Sequence, residues 1–335
     1  MGELGDLVSC LFPTTVSLYR RSGYEVGGVQ QRTTYAGSTL RELGSLATGR
    51  GLSRSLGSPG SPGAWAFGSS GASGSPRASG SAGTSGSSGP SGLSEQPTLR
   101  PRRARPDDAE AIHRMLRDDA ERHARSGPMP RGVEQLRGMI ERDELITYVV
   151  PDGVVVYDLA ADAVTVEHLV AGSSETAAAL WGLVGSGSSA VPTVHTYLDP
   201  RDPLTLALGD LPAVEVRQVP WMARVIDLGA SFAGRGFAPL VRADLDLVVD
   251  DPEAPRNTGR WQLSVADGSG TAVRSDADPA DGRVARVDPR GLSALWCGWS
   301  TSRLRQAGLL EGGSPDDDVA LDAIFAATPY ITEYF

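Results

Sequence analysis

The sequence contains no lysine: all 31 of its basic residues are arginine, set against 41 Asp and Glu for a formal net charge of -10 over 335 residues. This usage is typical of a GC-rich genome and assigns no function. The net negative charge argues against non-specific binding to DNA or RNA. An acidic surface weakly favours cationic small molecules by electrostatic steering, although an ordinary soluble protein carries similar charge.

Cysteine and histidine are also scarce. The two cysteines, Cys10 and Cys297, exclude a disulfide framework, and with only four histidines they offer no metal-ligand spacing. We therefore expect no metal site. Both cysteines are predicted to be buried as small apolar residues.

Long apolar runs are missing. No stretch reaches the roughly 18 apolar residues that span a bilayer, and residues 1–6 lack the basic and apolar regions of a secretory signal. The expected location is the cytoplasm, away from membranes. The sequence also lacks a nucleotide-binding glycine motif, a Gly-x-Ser-x-Gly elbow and a His-Glu-x-x-His helix.

A stretch of Gly, Ser, Ala and Pro at residues 51–96 divides the chain. It has too few large apolar residues to offset its ordering entropy, so we predict a disordered linker. The piece before it, residues 1–50, is predicted as a strand at 7–12, a helix at 16–21, extended chain at 24–26 and a strand at 30–36. That is too little to bury a core alone, so the piece needs partners.

The chain after the linker mixes helices and strands, which predicts an α+β fold. Between residues 97 and 219 we predict a strand at 98–104, helices from 107 and at 132–142, strands at 145–150, 153–159 and 163–169, a helix at 174–184 and a strand at 191–198. From 220 to 335 we predict short strands, then helices at 289–297, 300–307 and 317–326, and an extended aromatic tail from 329.

Two features could carry chemistry. Tyr19 ends a short helix in the run Leu18-Tyr19-Arg20-Arg21-Ser22-Gly23-Tyr24, and a phenol with a pKa near 10 in water can give its proton to a leaving thiolate. The sequence ends at Phe335, and burial beside aromatic rings would raise the pKa of a terminal carboxylate toward that of a useful base. Taken locally, both residues fit simple packing roles equally well.

Taken together, these segments resemble the enhanced intracellular survival (Eis) type of N-acetyltransferase, of the GNAT superfamily. Residues 11–24 are similar to that family's strand and catalytic helix, with its apolar-Tyr-x-x-x-Gly-Tyr pattern. The remaining matches, in the family's order, are residues 99–106, 195–204, 221–228 with 235–237, and 332–335.

The resemblance implies a specific fold and activity. Residues 1–50 would be the C-terminal part of a GNAT domain, 97–219 a second GNAT-like mixed-sheet domain, and 220–335 a sterol-carrier-protein-like domain with a catalytic tail. Tyr19 would be the general acid that protonates coenzyme A thiolate, and the carboxylate of Phe335 the general base for the substrate amine. Acetyl-CoA would be the cosubstrate, aminoglycoside- or lysine-like amines the acceptors, and a homohexamer the assembly.

One family feature is not found in these 335 residues. The acetyl-CoA phosphate loop, of the type Val-x-Pro-x-x-Arg-Arg-x-Gly, precedes the strand that matches residues 8–12. The expectation is therefore an N-terminally truncated sequence that binds acetyl-CoA weakly or not at all, with its cofactor-binding residues unassigned. The alternative is a non-catalytic binding or assembly protein whose third domain holds an apolar ligand or other subunits.

Overall fold

The computed structural model describes residues 6–47, 99–123, 127, 131–208, 213–277 and 283–332. The linker predicted at 51–96 and the end of the tail at 333–335 lie outside these residues. Within the described part, two β-sheets and their covering helices form the mixed α+β fold that the sequence predicted.

The larger sheet combines strands from both sides of the linker region. Its strands are β1 (Val8–Leu11), β2 (Glu25–Ala36), β3 (Arg102–Arg103), β4 (Ile146–Val150), β5 (Gly153–Leu159), β6 (Ala163–Ala171), β7 (Thr193–Tyr197) and β8 (Ala213–Val225). Their order is β1-β8-β2-β7-β6-β5-β4-β3. The described strands pair antiparallel except for β6 and β7, which run parallel.

The smaller sheet lies within residues 228–332, which we name the third unit. Its strands are β9 (Ala243–Val249), β10 (Gly259–Ala266), β11 (Ser269–Ser275), β12 (Ala285–Val287) and β13 (Leu310–Glu311), in the order β11-β10-β9-β12-β13. Alternation of buried and exposed residues along β10 places Leu263 and Val265 in a core shared with Phe232 and Leu292.

The helices cover these sheets. They are α1 (Val16–Arg21), α2 (Gly37–Ala47), α3 (Ala109–Arg122), α4 (Val133–Glu141), α5 (Ser174–Gly185), α6 (Leu204–Ala207), α7 (Leu228–Gly234), α8 (Pro289–Trp296), α9 (Thr301–Gln306) and α10 (Pro315–Ile324). Helices α2 and α5 pack on one face of the larger sheet, and α3 and α4 on the other. The unbroken run Val154-Val155-Val156 supplies both cores, as expected for a strand buried on two faces.

The first piece gains its partners from the rest of the chain, as its short length required. Strand β8 lies between β1 and β2, and β7 pairs with the far end of β2. The predicted break after Val26 is wrong: β2 continues through it with a bulge between Val26 and Gly28. Pairing with β8 outweighs the low strand preference of the two glycines there.

The end of the first piece also differs from the sequence prediction, which placed no helix after the strand at 30–36. Residues 37–47 form α2, although Gly37, Ser38 and Thr39 are poor helix formers. The helix is stabilised by tertiary packing: Leu40 is fully buried, and a side chain on Gly44 would come within 2.7 Å of the Gly182 Cα in α5.

Two local predictions are corrected at the sheet edges. Cys297 is buried as predicted, but Cys10 is exposed, because β1 is an edge strand among the described residues. The strand predicted at 98–104 reduces to Arg102–Arg103, between Pro101 and Pro106, which lack the N–H that a sheet ladder needs.

A buried ion pair joins the larger sheet to the third unit. Arg224 on β8 donates to both oxygens of Asp251, at 2.8 and 2.7 Å, and both side chains are almost fully enclosed. Asn257 donates to the same carboxylate at 3.1 Å and accepts the Leu228 amide. Because a buried charge is tolerated only when paired, this contact fixes the position of the third unit against β8.

Candidate functional site

Helix α1 presents the predicted acid, Tyr19, beside the start of β2. Thr15 occupies the N-cap position, but its side chain makes no capping hydrogen bond. Gly23 has φ of +79°, a left-handed conformation that favours glycine. Its amide donates to Arg20 O, and the Tyr24 amide donates to Tyr19 O, both at 3.1 Å. This Schellman-type end turns the chain sharply from helix into strand.

The turn places two tyrosines in contact. Tyr19 is half-buried, and its ring meets the ring of Tyr24 edge to face at a centroid distance of 5.9 Å. The Tyr24 hydroxyl donates to Ser9 Oγ on β1 at 2.7 Å. Tyr24 thus anchors the helix end to the sheet and orients the ring of Tyr19.

A buried carboxylate joins α1 to the third unit. The side chain of Glu25 is 7% exposed and accepts hydrogen bonds from Arg20 on α1, the shortest at 2.7 Å, and from Arg290 on α8, also 2.7 Å at its shortest. Burial raises the pKa of Glu25, but hydrogen bonds from Arg20, the Val26 amide and Arg290 together lower it below its ordinary value. The carboxylate is therefore ionised at neutral pH and bridges two arginines.

We expect Glu25→Gln to lower the free energy of unfolding by about 2 kcal/mol at pH 7. This loss lies between those typical of breaking an exposed ion pair and a buried one. Because the folded-state pKa is depressed, the stabilisation is present above the unfolded-state pKa of about 4.3 and is lost as pH falls through the folded-state pKa. Urea titrations from pH 7 to acid should show the difference shrinking below about pH 4.

The matched control is Glu253→Gln, at an exposed carboxylate with no ion pair to a described residue. It should change stability little at any pH. A difference for Glu25→Gln that stays constant into strong acid would contradict the ionised bridge.

The C-terminal tail returns to β2. Tyr330 forms a parallel bridge with Val29, and the Ile331 amide donates to Val29 O at 3.1 Å. The buried side chain of Gln30 donates to Thr332 O at 3.2 Å. The chain end thus lies along the strand that leaves the Tyr19 helix. Phe335 itself is outside the described residues, so its distance from Tyr19 is not defined.

Several residues of this assembly have no signal in the sequence. Glu25 and Arg290 are 265 positions apart, and Gln30 contacts a residue 302 positions away. Only the fold brings them together. A hint existed at Gly27-Gly28, since adjacent glycines in a strand mark close approach of other groups: a Cβ on Gly28 would overlap the carbonyl oxygen of Pro329 in the tail.

Two family models match the chain. An acetyltransferase (GNAT) domain matches residues 127–225, and a sterol carrier protein domain matches residues 228–332. No curated protein matches. Among the described residues, no helix is long and apolar enough to cross a membrane.

Solved structures add close similarity over the whole chain. A GCN5-related N-acetyltransferase from Kribbella flavida is 33% identical with a TM-score of 0.79, and the match covers 100% of this chain and 72% of that one. A GCN5-related N-acetyltransferase from Anabaena variabilis ATCC 29413 is 19% identical, with a TM-score of 0.71 and coverage of 100% and 74%. Eis1 from Mycobacterium abscessus is 21% identical, with a TM-score of 0.59 and coverage of 100% and 75%.

The last two similarities show the fold alone, which does not by itself define an activity. The Kribbella flavida structure is more similar than these two, because a third of the aligned residues are identical. This sequence also covers 72% of that chain. With its GNAT and sterol carrier protein domains, this chain belongs to the GCN5-related N-acetyltransferase family.

Proposed function

We propose that the protein is an Eis-type N-acetyltransferase that moves the acetyl group of acetyl-CoA to an aminoglycoside- or lysine-like amine. The amine nitrogen attacks the thioester carbonyl, so that a C–N bond forms and the C–S bond breaks. The carboxylate of Phe335 takes the proton from the amine, and the phenol of Tyr19 gives a proton to the leaving thiolate. The charges then balance without a metal or a covalent enzyme intermediate.

The observation that carries this proposal is the path of the tail. Residues 330–332 run along β2 and are held by the Val29 carbonyl and the Gln30 side chain. Strand β2 begins just after the turn that orients Tyr19. The path of residues 330–332 along the strand that follows α1 supports the proposed pairing of the Phe335 carboxylate with Tyr19, although the two residues are 316 positions apart in sequence.

The surroundings of Tyr19 support a catalytic role over simple packing. The Tyr24 hydroxyl has a partner on β1, and Glu25 holds α1 through Arg20. These contacts fix the helix backbone while Tyr19 stays half-buried at its surface. Rigid support of a reactive group is what positioning in catalysis requires.

The remaining features of the proposal follow the Eis resemblance. They are a homohexameric assembly, a cytoplasmic location, and units at residues 97–219 and 220–335. The residues that hold acetyl-CoA are not assigned. The acidic net charge of -10 favours a cationic amine as acceptor.

The test is acetyl transfer by purified protein that includes the family's phosphate loop, because these 335 residues are expected to bind acetyl-CoA weakly or not at all. Acetyl-CoA is incubated with an aminoglycoside or with lysine methyl ester, and mass spectrometry follows the acetylated amine while a thiol reagent follows free CoA. The expected result is equal amounts of both products. The alternative is a non-catalytic binding or assembly protein. Protein that is oligomeric or binds an apolar ligand saturably, but forms neither product, would favour that alternative.

A further inference from the structure

A cavity of about 660 Å³ lies between the larger sheet and the third unit. Its walls are largely apolar and come from β1, β8, α7 with the loop after it, the C-terminal ends of α8 and α10, the start of the tail, and Gly127. Its lining includes Val8, Trp221, Phe237, Trp296 and Ile324. A cavity of this size suits a small organic ligand, since known ligand pockets span roughly 300–1,000 Å³.

One cation lines this apolar cavity. Arg235 donates to the main-chain oxygens of Trp296, at 2.6 Å, and Phe325, at 3.4 Å, and its guanidinium lies 4.8 and 5.5 Å from the ring centroids of the same two residues. Among the described residues, no carboxylate forms an ion pair with it. Asp6, which also lines the cavity, is exposed and makes none.

A half-buried guanidinium that has no ion pair to a described residue is destabilised in such a place. Burial lowers the pKa of Arg235, which shows that the charged form is disfavoured by its surroundings. The guanidinium nevertheless stays protonated in proteins, and within the described part of the chain two of its five N–H groups have acceptors. The rings offset part of the desolvation, but an anion would offset more.

A second donor on the wall also lacks a partner. Trp221 is 3% exposed, and its indole N–H has no acceptor among the described residues. Buried donors without acceptors are rare and destabilising. A buried indole N–H without an acceptor and a half-buried guanidinium without an ion pair to a described residue line the same cavity, and both favour a ligand that carries an acceptor group.

We propose that this cavity binds a carboxylic acid with an apolar body of roughly ten to fifteen non-hydrogen atoms. Its carboxylate pairs with the planar guanidinium of Arg235. Its body packs among Trp221, Trp296 and Phe237, where an aromatic ring fits the aromatic walls. The proposal does not rest on acetyl transfer, although Pro329 of the tail lines the same cavity.

Three probes with one body and different charge test the proposal: 4-phenylbutyrate, the neutral 4-phenylbutan-1-ol and the cationic 4-phenylbutylamine. Each is titrated into the protein without acetyl-CoA, and tryptophan fluorescence reports binding because Trp221 and Trp296 line the cavity. The acid is expected to bind about tenfold or more tightly than the alcohol, and the amine more weakly than both.

Variants then locate the site. Arg235→Met should weaken binding of the acid about tenfold and leave the alcohol unchanged. Arg303→Met is the matched control, since Arg303 lies over the Trp299 ring away from the cavity. Ala238 is exposed and lines the cavity, so the side chain introduced by Ala238→Trp should occupy the cavity without disturbing the core. This variant should therefore bind neither the acid nor the alcohol.

Three results would overturn the proposal. They are equal affinity for acid and alcohol, no effect of Arg235→Met on the acid, or no binding of any probe. If Arg235→Met fails to fold, Ala238→Trp decides: unchanged binding of the acid in that variant would exclude this cavity.

Discussion

Replacing Tyr19 by phenylalanine is expected to slow acetyl transfer roughly 10²-fold or more, with little change in KM for the amine. The substitution removes only the hydroxyl. The ring stays edge to face with Tyr24 at 5.9 Å, so α1 keeps its place. Without the phenol, the thiolate must leave unprotonated or take its proton from water. Steady-state rates measured by CoA release check this expectation.

Tyr157→Phe provides the matched control. Tyr157 on β5 is also half-buried, and its ring stacks on Tyr148 of the neighbouring strand β4. Both strands lie near the opposite end of the larger sheet from β1, which leads into α1. This variant should keep the activity of the parent protein. A Tyr19→Phe variant that is folded and equally fast would reduce Tyr19 to a packing residue.

Displacing the tail should slow acetyl transfer about as much as Tyr19→Phe does. A methyl group on Gly28 would overlap the Pro329 carbonyl and come within 2.9 Å of Trp221 Cζ2. Gly28→Ala must therefore push residues 329–332 away from β2, since a backbone oxygen cannot rotate aside as a flexible side chain does. Misplacing a reacting group by about 1 Å costs on the order of 10²-fold in rate, and we expect that loss here.

Hydrogen exchange distinguishes displacement of the tail from general unfolding. The Ile331 amide, bonded to Val29 O, should exchange faster in Gly28→Ala, while amides of β5 stay protected. Gly187→Ala is the control, because a Cβ there meets no atom within 4 Å. Fast exchange of Ile331 with undiminished activity would separate the tail from catalysis.

Sequence patterns predicted the short-range features well. The helix at 16–21 follows from local residue preferences, and the structure confirms it. Helix α2 did not follow, because Gly37, Ser38 and Thr39 disfavour a helix and only packing of Leu40 against α5 stabilises it. The same holds for β2, whose bulged middle depends on pairing with β8.

The candidate site was predictable only in part. Tyr19 stood out through its sequence context. Glu25, Gln30 and Arg290 did not, because the contacts of each depend on residues hundreds of positions away. Arg235 shows the same limit: an arginine in a sequence is ordinary, and its place among aromatic rings in a cavity becomes visible only when its neighbours are known.

The most direct test of the account is the rate of acetyl transfer when the Phe335 carboxylate is converted to a carboxamide by peptide ligation. The amide has the same shape but cannot act as a base, so kcat/KM for the amine should fall roughly 10²-fold or more while acetyl-CoA affinity is unchanged. A carboxamide protein that transfers acetyl as fast as the parent would contradict the assignment of the tail as the base that works with Tyr19.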